Sequence, residues 1–203
     1  LVATRLLMAA AMAGQVIFIP YAIKGLALPE SIVGVLMIIA ACFALPSNFL
    51  WSHLCDRYGN RRLLQVVSCV FLCSPLYAIA SSYAPEYRPD LPLPAGYDLN
   101  ALLFVVAFIL GAIATKGGFM GTTNYLLEIA PEDRRPSYMA FMRVLQAPTV
   151  LMPLIAGSIA ELYSFQAAFA VAGAGGFGTL LLAYHLDEPR RIDRTAHPTD
   201  ARR

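Results

Sequence analysis

An all-α fold of six membrane-crossing helices is predicted by three observations. The 203-residue chain is 58% hydrophobic and 14% charged, with a mean hydropathy of +0.61, far more apolar than an average soluble domain. Its apolar residues fall into six runs separated by polar connections. Each run can cross about 30 Å of hydrocarbon at a helical rise of about 1.5 Å per residue. Barrel strands would be about ten residues long with alternating polarity, and backbone in lipid must satisfy its own hydrogen bonds, so helices remain.

The runs cover residues 6–23, 31–51, 63–80, 101–127, 138–160 and 165–186. Pro20, Pro46, Pro75, Pro148 and Pro153 fall within them, each removing a helical hydrogen bond and permitting a kink. The fourth run carries the G-x-x-x-G pair Gly117 and Gly121. On the sixth, Ala170, Ala174 and Gly178, beside Gly173, Gly175 and Gly176, predict a small-residue face for close helix packing. Cys42, Cys55, Cys69 and Cys73 lie in or beside apolar stretches as small hydrophobes, and Cys69 and Cys73 have helical rather than C-x-x-C spacing. The connections cover 24–30, 52–62, 81–100, 128–137 and 161–164. The longest contains Pro85, Pro89, Pro92 and Pro94 and is too broken for a helix. Residues 1–188 thus read as one bundle and 189–203 as a polar tail.

Charge sets orientation and excludes one class of partner. A net charge of +2, without a basic stripe interleaved with aromatics, excludes nucleic acid. Arg57, Arg61 and Arg62, then Arg134 and Arg135, then Arg190, Arg191, Arg194, Arg202 and Arg203 occupy alternate connections and the tail; the opposite set holds only Lys24 and Arg88. By the positive-inside rule the first set is cytoplasmic, with Arg5 at the cytoplasmic end of the first helix. Both ends of the segment then face the cytoplasm, and the plasma membrane is the expected location. The chain starts at Leu1 without a signal peptide, which leads to the expectation of a fragment.

Enzymatic readings fare poorly. No G-x-S-x motif accompanies a histidine on another span, and His53, His185 and His197 are scattered over connections, a helix end and the tail. Neither a catalytic residue, a cofactor nor a metal is expected.

The segment from Trp51 to Arg62, Trp-Ser-His-Leu-Cys-Asp-Arg-Tyr-Gly-Asn-Arg-Arg, is a tight cationic turn. Gly59 supplies the positive φ a short reversal needs, and Asp56 is placed to pair with Arg57, Arg61 or Arg62. On composition alone it sets topology. Its order resembles the loop signature of the major facilitator superfamily, G-x-x-x-D-[RK]-x-G-[RK]-[RK]. Asp56, Arg57, Gly59, Arg61 and Arg62 match with one extra residue, Asn60, and Ser52 stands where the first glycine falls, implying looser packing there. After the fourth span, Glu128, Pro131 and Arg135 match the family's E-x-x-P-x-x-x-R pattern. The fifth span, with Gln146-Ala-Pro148 and Pro153 to Gly157, is similar to the proline-rich eleventh helix of these transporters.

The resemblance implies the C-terminal half of a twelve-helix secondary transporter, made of two three-helix inverted repeats and rocking around a central site. Its expected partners are the bilayer, a small-molecule solute with or without a coupling ion, and an N-terminal six-helix half. A channel or a non-transporting membrane assembly subunit is the rival reading. Asp56, Glu128 and Arg135, with Arg61 and Arg62, are expected to form a cytoplasmic latch.

Polar residues at membrane depth point to the solute cavity, because burying them is costly without a partner or water. Lys116 lies about 3 Å past the middle of the fourth span by helical rise. It is the candidate cation for an anionic group. Arg143, Gln15, Thr115, Asn124 and Gln146 are the other candidates; hydroxyls and amides also serve as plain interhelical hydrogen bonds.

Overall fold

The computed structural model describes residues 2–84 and 99–186, and every element in them is helical. Six helices are long and apolar enough to cross a membrane: α1 (Val2–Gly25), α2 (Ile32–Tyr58), α3 (Asn60–Tyr83), α4 (Leu99–Ile129), α5 (Glu132–Leu162) and α6 (Phe165–His185). They match the six predicted runs in order and number. The proline-rich segment, Arg88 and the tail lie outside the described residues.

The helices run on beyond the apolar segments, and this corrects the predicted 52–62 connection. Ser52, His53, Asp56 and Arg57 extend α2 by about two turns, because nothing before Gly59 breaks the helix. Gly59 then reverses the chain alone, with φ 86° and ψ 168°. Ile129 ends α4, and Pro131 precedes the short turn that starts α5. Pro20 precedes a π-helical turn over Tyr21–Gly25, and Pro148 sits in a 3-10 stretch over Ala147–Leu151 that divides α5. Pro46 and Pro75 lie inside unbroken helices.

Packing centres on α3, which contacts α4 and α6 extensively; α1 lies along α6, and α2 along α4. Small residues allow this. A Cβ on Gly117 would meet Val67 at 2.5 Å and Trp51 at 2.7 Å, and one on Gly175 would come within 2.9 Å of the Ala11 backbone nitrogen. The packed face of α6 is Ala168, Ala172, Gly175, Gly176, Thr179 and Ala183. The expected stripe is therefore rotated: Ala170 and Ala174 are exposed, because α1 and α3 meet α6 on its neighbouring face. Cys42, Cys69 and Cys73 are exposed, whereas Cys55 is buried.

The bundle has two unlike ends. At the end where α1 meets α2 and α5 meets α6, Phe18, Tyr21, Phe104, Phe108, Phe165 and Phe169 interlock, with ring centroids 5.2–6.3 Å apart. Tyr21 completes the cluster by hydrogen bonds to Ser81 Oγ at 3.1 Å and Ser82 Oγ at 2.8 Å. The other end, where α6 finishes, gathers the charged residues.

Candidate functional site

A polar cleft of about 150 Å³ opens between α1, α4 and α5 in the charged half of the bundle. Arg5, near the start of α1, reaches α4: its guanidinium donates to Thr122 Oγ1, approaches the Gly118 carbonyl at 3.4 Å and lies 6.0 Å from the Phe119 ring centroid. Gly118 permits the approach, since a Cβ there would fall 2.8 Å from Met8 Sδ. Thr122 donates its own hydroxyl back to Gly118 O at 2.6 Å, which leaves its lone pairs for Arg5. Met139, Met142, Arg143 and Gln146 form the α5 wall. Arg143 is exposed and makes no hydrogen bond or ion pair with any described residue.

The other cavity candidates separate by position. Lys116 is exposed on the stripe of α4 that carries Phe119 and Thr123, beside the cleft rather than in its wall. Gln15 and Thr115 face each other across α1 and α4: Gln15 Nε2 donates to Gly111 O, and Thr115 Oγ1 lies 3.0 Å from Gln15 Oε1 and 2.9 Å from Gly111 O. This is an interhelical bridge. Asn124 points elsewhere, its Nδ2 lying 3.8 Å from Cys55 Sγ, which itself donates to Asn60 Oδ1 at 2.9 Å.

A second cleft, of about 320 Å³, brings Asp56, Glu128 and Arg135 together with Asn60 and Asn124. It joins the last turn of α2, the last turn of α4 and the start of α5. Arg135 also approaches Glu132 at 3.5 Å. The arginines of the turn go elsewhere. Arg61 donates to the Tyr184 carbonyl at 2.8 Å, closing the last turn of α6, while Arg57 and Arg62 sit 5.5 and 5.7 Å from the Tyr58 ring centroid. Ser52, at the variant motif position, lies 4.0 Å from Met120 Sδ on α4.

Sequence reasoning gave Arg5 only a topological role, and the structure turns it into a wall of the cleft. The available signal was an arginine immediately before the first apolar run, with the hydroxyl pair Thr122 and Thr123 near the matching end of α4.

Six long apolar helices around a glycine-packed core, with polar clefts at one end, define an integral membrane protein of the polytopic helical-bundle class. The chain matches the model of the Major Facilitator Superfamily over residues 1–202, and it belongs to that superfamily. It is 25% identical over 154 residues to sugar efflux transporter A of Dickeya chrysanthemi, an alignment that covers 75% of this chain and 34% of the relative. The chain thus spans about a third of the length of the curated relative it matches. No solved structure matches it.

Proposed function

We propose that the chain acts as the C-terminal six-helix half of a secondary transporter that moves a small polar solute by alternating access. The observation that carries this reading is that Asp56, Glu128 and Arg135 line one cleft on three helix ends at the charged end of the bundle, the end where an opposing half would close against this one in a rocking motion. In this reading these residues latch the cytoplasmic face. Arg57, Gly59, Arg61, Arg62 and Pro131 shape the connections around the latch, and the open side of α1, α4 and α5 faces the solute and the N-terminal half. The likeness to a protein named for sugar efflux supports a solute of sugar size. Each acidic residue among the described ones lies in a connection or near a helix end.

Flux into proteoliposomes separates this function from its rival. A carrier saturates with solute and shows counterflow when the vesicles are preloaded with unlabelled solute. Linear, non-saturating flux without counterflow identifies a channel, and no flux identifies an assembly subunit.

A further inference from the structure

We propose that the cleft between Arg5 and Arg143 binds an anionic group of the solute, a carboxylate or a phosphate, so that the carried molecule is a small polar anion rather than a neutral sugar. The inference rests on the transport reading and names the substrate class. Among the described residues, the cleft these two guanidiniums share contains no carboxylate in its walls. Among the described residues Arg5 is held by neutral groups, the Thr122 hydroxyl, the Gly118 carbonyl and the Phe119 ring, which orient the cation without neutralising it. Arg143, about 16 Å along α5 from Glu132 by helical rise, has no partner among the described residues.

Two cations that line one space with no carboxylate among its described walls repel each other, and an anion joining them relieves that repulsion. A planar guanidinium offers paired donors that match the two oxygens of a carboxylate or phosphate. Thr123 and Gln146 supply further hydrogen-bonding groups for the hydroxyls of such a solute, and the cleft has room for a head group of this size. Phe119 gives the pyranose or chain carbons an apolar face.

The test is binding to the full-length protein in phosphatidylcholine nanodiscs, with D-glucuronate, inorganic phosphate and D-glucose as probes. D-glucuronate and phosphate are expected to bind and to raise the melting temperature, with D-glucose at least about tenfold weaker than D-glucuronate, the equivalent of one charge-assisted hydrogen bond. Arg143→Gln removes an exposed side chain with no partner among the described residues, so folding is expected to stay intact, and the change is expected to erase the preference; Arg143→Lys restores part of it. Arg5→Gln follows the same pattern if it folds. Equal affinity for D-glucuronate and D-glucose in the parent, or an unchanged preference in Arg143→Gln, overturns the inference. So does loss of D-glucuronate binding on adding phosphatidylglycerol, which assigns the cleft to a lipid headgroup. Saturable flux of D-glucose unaffected by Arg143→Gln keeps the carrier and discards the anion; absence of saturable flux discards the carrier, while the binding measurements still decide the anion site.

Discussion

The aromatic end and the charged end of this bundle are made from the same helices and solve opposite problems. At the aromatic end Phe18, Tyr21, Phe104 and Phe169 are each at most 2% exposed, and their rings fill the space between α1, α4 and α6. At the charged end two clefts separate the helices, and arginines, carboxylates and amides line them. Interlocked rings make a rigid joint, because packed side chains have few alternative arrangements. Charged pairs across clefts can break and re-form as helices move. The difference teaches where rigidity is built in: the interlocked rings hold one end of the bundle together, and in the proposed reading the charged end is the part that moves.

Orientation gives the largest effect, because labelling is all or none. In a background without native cysteines, Asp133→Cys at the charged end is expected to be shielded from an impermeant outside thiol reagent, and Glu30→Cys at the aromatic end to react. Both positions are exposed. Asn60 would be a poor reporter, since its side chain is 1% exposed and accepts from Cys55. Reversed labelling breaks the assignment of the clefts to the cytoplasm.

Truncation at the aromatic end comes next. Phe169→Ala is expected to cost up to about 3 kcal/mol of stability in a detergent unfolding titration, the low end for phenylalanine truncation, because lipid solvates the unfolded apolar surface better than water does. Tyr21→Phe, which only removes the hydroxyl between Ser81 and Ser82, should cost about 1 kcal/mol. Neither change should alter solute affinity in the folded fraction; altered affinity in both would mean that the aromatic end also forms the site.

Most of the fold was legible in the sequence, because the bilayer imposes a length and a polarity on each span that single residues cannot hide. Gly59 was legible for a related reason: a positive φ admits few alternatives. The rotated face of α6 was not, since small residues occur all round that helix and only its neighbours choose among them. Among the site residues, Asp56, Glu128 and Arg135 line one cleft. Arg61 and Arg62 depart from that cluster because the Tyr184 carbonyl and the Tyr58 ring lie closer to their own turn of α3. The bridge between Gln15 and Thr115 depends on the register of α1 against α4, and a sequence read one helix at a time does not contain it.

The central claim is that the charged end is a latch whose release opens the cleft behind it, and thiol accessibility tests it most directly. Thr123→Cys, in the wall of the Arg5 cleft, is labelled from the cytoplasmic side in the full-length protein with Asp56 intact and with Asp56→Asn. The account predicts labelling about tenfold faster in the Asp56→Asn background, the population shift from losing one charge-assisted contact, together with slowed transport and normal membrane insertion. Equal labelling rates and equal transport in the two backgrounds would contradict it, leaving Asp56 with a topological role alone.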